Sequence, residues 1–415
     1  MFGRPAQSRL LPMSVPFRFF GAAVAFHLAA WGVLLAHAGE LPAFAGGLGP
    51  VFAALHLATL GVLAMTAAGA TLQLFPVATR QTVRSVGAAK LAWWLLVPGV
   101  ALFAGGAWAY EPRMTALGAL LASAALAIYG WLFYRNLRGA RGMPVIVAHG
   151  WAALGCLALL LLSGLALAAR YEQGLVLDHA AFRAAHLALA AYGFMGLLAL
   201  GLSQLLLPMF AVAPPPSRRW AYAVLAAACL ALALAVAGFP ALGASLGVAA
   251  ALGHIVALER ALRSRLRRDL DPAFALVRLS WAFLAASLAL GALLAAGAAP
   301  PRAAALFGVL LVPGWLLTFL FAVLQRIVPF LASVHASGAR PSGLSAQAPL
   351  AAHRALHVAA LAGLAAGVIA DSAWLARAGA AAGLAGAAAF AVFFIAVLLR
   401  VRRHGVRSPH QPAAA

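Results

Sequence analysis

Twelve stretches of this chain are each apolar for about the 20 residues that a helix needs to cross the hydrocarbon of a bilayer. They fall at 16–38, 50–75, 90–110, 114–135, 144–169, 179–211, 219–239, 242–262, 273–297, 303–333, 350–373 and 378–401. The connections between them are short, so little chain is left for a water-exposed domain. A content of 65% hydrophobic and 9% charged residues agrees with that reading. The expected fold is an all-α polytopic membrane protein. One transmembrane domain occupies 1–415, and 403–415 reads as a flexible C-terminal tail.

The net charge of +21 would suit nucleic acid if the cations formed one patch. They do not. When the spans are made to alternate, all 29 Lys and Arg except Arg113, Arg170, Arg183, Arg302 and Arg377 fall at one side. That asymmetry is the positive-inside bias, which predicts cytoplasmic N- and C-termini in a multi-pass protein of the plasma (inner) membrane. The implied partner is the lipid bilayer, with the basic loops near anionic headgroups and no nucleic acid involved. The basic N-terminal segment leads into 16–38 without a small-residue cleavage site and reads as the approach to a retained helix. Cys156 and Cys229 stand alone in separate spans and read as packing residues.

The second, sixth and tenth spans resemble one another. Each closes on Gln, a short apolar spacer and Pro: Gln73 and Pro76, Gln204 and Pro208, Gln325 and Pro329. The prolines are 132 and 121 residues apart, which divides the chain into repeat-like units near 16–135, 144–262 and 273–401. The expectation is three pseudo-symmetric four-helix arcs, unlike the two six-helix halves common in transporters. Proline tends to end or kink a helix, and the glutamines are read as structural partners for freed carbonyls or a neighbouring helix.

Polar side chains within a bilayer are costly and face protein interiors. All eight carboxylates lie in loops or near helix ends, which weakens the case for an ion-coupled transporter. Histidine is different: His27, His56, His149, His186, His254, His353 and His357 fall inside spans. A single intramembrane histidine most often serves as an interhelical hydrogen-bond partner. His56 and His186 read otherwise, because they recur in corresponding helices about six residues, or roughly 10 Å, from the same surface. Facing helices that each supply an imidazole to a dry slot are what a b-type haem requires. His56 and His186 are thus candidate cofactor and metal ligands, with His27 as a further candidate; the other four form no evident constellation. The 18 residues from His186 to Gln204 make five ideal turns, while the 17 from His56 to Gln73 fall about 100° short. The Gly69 region is expected to absorb that difference.

Twelve helices in three arcs, with His56, Gly69, Gln73 and Pro76 along the second helix and His186 in the sixth, resemble subunit I of the haem-copper oxidases. In that family the second helix begins with a haem-ligating histidine and the sixth carries a copper ligand. The FRFF at 17–20 also resembles the start of the NnrS proteins, membrane proteins linked to nitric oxide stress. The resemblance implies a b-type haem, copper in second place, other respiratory-chain membrane subunits as partners, and work in electron transfer or nitric oxide handling. Spans 219–239 and 303–333 contain no histidine, so no intact binuclear oxygen-reducing centre is expected. The alternatives are a non-enzymatic assembly or metal-handling protein of a respiratory complex, and a small-solute transporter.

Overall fold

The computed structural model describes residues 11–83, 85–173, 179–336 and 338–404. Among them, twelve helices are long and apolar enough to cross a membrane. They are α1 (Ser14–Ala36), α2 (Pro50–Thr79), α3 (Val86–Trp108), α4 (Pro112–Arg138), α5 (Pro144–Ala169), α6 (Ala180–Ala211), α7 (Arg218–Val236), α8 (Pro240–Arg263), α9 (Ala273–Ala295), α10 (Ala303–His335), α11 (Gln347–Ile369) and α12 (Ala373–His404). Each corresponds to one predicted span. α12 continues through Arg403 and His404, the first two residues of the tail expected at 403–415; residues 405–415 lie outside the described residues.

Local chemistry sets the helix boundaries. Pro50, Pro112 and Pro240 occupy first-turn positions, where a missing N–H costs nothing. Ser85 and Ser217 cap α3 and α7 by accepting from the Ala88 and Trp220 amides. The α3–α4, α7–α8 and α11–α12 turns are built alike. Tyr110, Gly238 and Asp371 each take positive φ, and the following amides of Glu111, Phe239 and Ser372 return to Gly106, Leu234 and Gly367 carbonyls. Such a closure satisfies carbonyls that a helix end would otherwise strand in hydrocarbon.

Burial divides the bundle into an inner and an outer set. In the most hydropathic 18-residue window, α2, α6 and α10 are 72%, 67% and 61% buried, whereas no other helix exceeds 50%. The inner three pack against one another in the middle, α10 touching both α2 and α6, and α12 returns to α1 to close the outer ring. Large apolar side chains such as Leu120, Leu162 and Val392 point outward, as a lipid-facing surface requires. Exposed Trp94, Trp131, Trp151 and Trp220 mark one end of the bundle, and Trp108, Tyr110, Phe239 and Trp374 the other, the placement of interfacial aromatic belts.

The inner helices share a further feature. Each contains eight residues of π-helix: Leu57–Ala64, Leu189–Gly196 and Leu310–Leu317. Every one begins 19 residues before the proline of its helix and carries glycine at its fifth position. At the first of these, Gly61, an added Cβ would lie 2.7 Å from Phe26 Cβ on α1. Gly193 meets Cys156 of α5, and Gly314 meets Phe283 of α9, in the same manner. Glycine is needed because the neighbouring helix comes too close for any side chain.

The proline reading changes in detail. Pro76 and Pro208 do not end their helices at once; each is followed by three more helical residues before Arg80 and Val212 adopt positive φ. In α10 the helix runs on past Pro329 to His335. The glutamines reach neighbouring segments and not the carbonyls freed by proline. Gln73 exchanges hydrogen bonds with the Leu11 backbone, Gln204 faces His149, and Gln325 accepts from Arg354.

Candidate functional site

A cavity of about 790 Å³ opens between the inner helices toward the end of the bundle that holds the α1–α2 loop. Phe44 and Gly46 stand at its mouth, and Leu63, Leu200 and Leu317 are among its deeper wall residues. This is the end away from the basic loops. The lining is overwhelmingly aliphatic and aromatic, and it includes His56 of α2 and His186 of α6. The structure thus places these two predicted residues on the lining of one space.

Both imidazoles are held in the same tautomer. His56 Nδ1 lies 3.0 Å from the Phe52 carbonyl; a carbonyl only accepts, so Nδ1 carries the hydrogen and Nε2 is bare. The ring is wedged between Phe52 and Phe103, with centroids at 4.1 and 4.7 Å. His186 Nδ1 lies 3.1 Å from Ser163 Oγ. The single hydroxyl hydrogen of Ser163 goes to the Leu160 carbonyl, so the serine oxygen accepts from His186 and Nε2 is bare here too. Gly164 makes room for the ring, for a Cβ there would stand 3.1 Å from His186 Cε1. An imidazole whose Nδ1–H is anchored to a protein oxygen and whose Nε2 lone pair is free is the arrangement found behind metal-bound histidine.

These features fit a b-type haem: two imidazole donors from different helices, tautomers fixed from behind, and an apolar wall. They fit a multidentate metal centre less well. Among the described residues no group of three or more His, Cys, Asp or Glu is arranged to hold a metal ion. Arg183, one turn before His186, is the cation of the cavity lining, and its guanidinium donates to the Ala45 carbonyl.

His27 is placed elsewhere. It is 1% exposed and stacks on Phe321 of α10 with centroids at 4.3 Å. Its Nε2 accepts the indole N–H of Trp31 at 2.9 Å, so the lone pair that would bind iron is occupied. His27 keeps company with His353 and His357 of α11, whose rings lie 5.6 Å apart. Those two therefore do form a constellation, one that crosses from the first helix to the eleventh and left no local trace in the sequence. His149 and His254 meet α6 at Gln204 and Ser203. His254 donates to Ser203, whose own hydrogen goes to Leu200, and His149 is anchored to the Val145 carbonyl. Thr71 and Tyr129 form the counterpart of the Ser203–His254 link in α2 and α4.

The proposed equivalence of His56 and His186 needs correction. Measured from the π-helical stretches, His56 directly precedes one at Leu57, whereas His186 stands three residues before Leu189. Ala188 is therefore the counterpart of His56, and Phe307 that of His186. The phase argument fails for a related reason. A π-helical stretch intervenes between histidine and glutamine in both helices, so ideal α-helical turns cannot be counted across either, and the irregularity lies before Gly69 and not at it.

The signal that sequence reading missed is glycine 15 residues before each proline, at Gly61, Gly193 and Gly314. It fixes the register of the three inner helices more firmly than the glutamines do. No family model matches the sequence, and no curated protein matches it either.

Proposed function

We propose that the cavity binds a b-type haem between His56 and His186, and that the protein serves electron transfer or the handling of nitric oxide or another respiratory gas. The observation that carries this reading is a pair of imidazoles on two inner helices, each held at Nδ1 and with Nε2 left as the lone-pair atom, that line one apolar cavity. In such a site a bound haem supplies a one-electron couple. The chain's own residues supply the rest: Phe52 and Ser163 hold the ligand tautomers, Phe103 limits ring rotation, and the aliphatic wall excludes water. An arrangement in three oxidase-like arcs belongs to the same proposal, supported by the inner set α2, α6 and α10. Cytoplasmic termini, supported by the basic loops at the end opposite the cavity mouth, and respiratory-chain subunits as partners complete it.

The test is a pyridine haemochrome assay and optical spectrum on protein purified in detergent from cells with ample haem. The expected result is a b-type spectrum that is lost in His56→Ala and in His186→Ala. Colourless protein overturns the proposal. Bound haem with an unchanged spectrum in both variants overturns the ligand assignment.

A further inference from the structure

Outside the cavity, the cluster around Phe321 holds two buried polar atoms without a partner: His27 Nδ1 and His353 Nε2. Both residues are 1% exposed, so bulk water does not satisfy these atoms, and a polar atom left bare in a dry interior is destabilising.

Their hydrogen-bonding characters can be deduced. Trp31 Nε1–H donates to His27 Nε2, so a neutral His27 carries its hydrogen on Nδ1, and that atom is a donor. His353 Nδ1 lies 2.9 Å from the Gly386 carbonyl of α12, so it carries the hydrogen, and Nε2 is an acceptor. One orphan donor thus stands near one orphan acceptor. Ring centroids 6.4 Å apart and nearly perpendicular are too distant for a direct hydrogen bond, yet within reach of one bridging molecule. Phe321 and Phe390 pack on His353 with centroids at 5.1 Å each. His357 does not compete for this place, since its Nε2 is engaged by Thr318 at 2.8 Å.

We infer that a single water molecule binds between His27 and His353, accepting from Nδ1–H of the first and donating to Nε2 of the second. It completes a one-way chain of hydrogen bonds from Trp31 through His27, water and His353 to Gly386. The chain ties α1 to α11 and α12, and through Trp31, which lines the cavity, it fixes one wall of that space. The same assignment excludes a metal ion from this cluster: a cation needs lone pairs, and the atom that His27 offers is an N–H. The inference does not depend on what the cavity binds.

Water-edited solid-state NMR of the full chain in lipid, with histidines labelled with nitrogen-15, tests it. The expected spectrum shows His27 and His353 both protonated at Nδ1, with magnetisation passing from water to His27 Nδ1–H. In His353→Phe the water transfer to His27 is lost, and in His353→Gln, which restores an acceptor, it is retained. His27 protonated at Nε2, or no water transfer in the wild-type chain, overturns the inference. The wild-type measurement decides the matter even if His353→Phe fails to fold. A second arm titrates the purified protein with Zn(II) and with Cu(I); a bound ion that is lost in His353→Gln overturns it as well.

Discussion

Ser163 stands 3.1 Å behind His186 and accepts from its Nδ1, so a hydroxyl on α5 dictates which nitrogen α6 shows to the cavity. Ser163→Ala removes that anchor and lets the imidazole choose its tautomer and rotate. Groups behind a metal-binding histidine contribute about 10–100-fold to affinity. Haem titration of the variant should show a loss of that order with the thermal midpoint of the apoprotein little changed; undiminished affinity would show that Ser163 has no such role.

Gly164→Ala probes the same ring from the side. The added methyl would meet His186 Cε1 at 3.1 Å, a distance that the imidazole relieves by tilting. The expected outcome is an intact fold with a shifted haem absorption band, read by optical spectroscopy beside Gly155→Ala, where no atom lies within 4 Å of the added carbon.

The inner–outer helix contact is tested by Gly61→Ala. A Cβ placed 2.7 Å from Phe26 Cβ cannot be accommodated by a rotamer change, because the obstructing atom is fixed to the α1 backbone. Overpacking of this kind costs about 1–3 kcal/mol. Thermal denaturation in detergent should show a clear drop, against none for Gly32→Ala, where the surrounding space is open.

Gln73 is predicted to hold the segment before α1 and to have no part in ligand binding. Its Oε1 accepts from the Leu11 amide at 3.1 Å. Gln73→Leu leaves that buried amide unpaired and should speed proteolysis ahead of Ser14 while leaving the haem spectrum unchanged. Equal cleavage rates in the two proteins would remove this role.

The spans were legible because hydrocarbon imposes a length and a composition that no local context can disguise. Within them, His56 and His186 were paired on a repeat equivalence that the π-helical stretches do not support, although both line one cavity. Their environment was less legible than the spans. Phe52, Ser163 and Gly164 look like ordinary membrane residues, and their role depends on which helix faces which. The three π-helical stretches were hidden because an inserted residue leaves composition untouched and alters only phase. His27 was misread for the opposite reason: it stands out as strongly as His56, but its partners Trp31, Phe321 and His353 belong to a seam that closes the ring between opposite ends of the chain.

A helix that takes up one residue more than the α geometry allows turns everything beyond it by about 100°. With that surplus at one level in α2, α6 and α10, each inner helix has two halves keyed independently of one another. The half with the histidines can be re-faced by a single deletion between Leu57 and Ala64 while Gln73 and Pro76 keep their contacts. Such a bundle can change what its cavity displays without rebuilding the floor on which it stands.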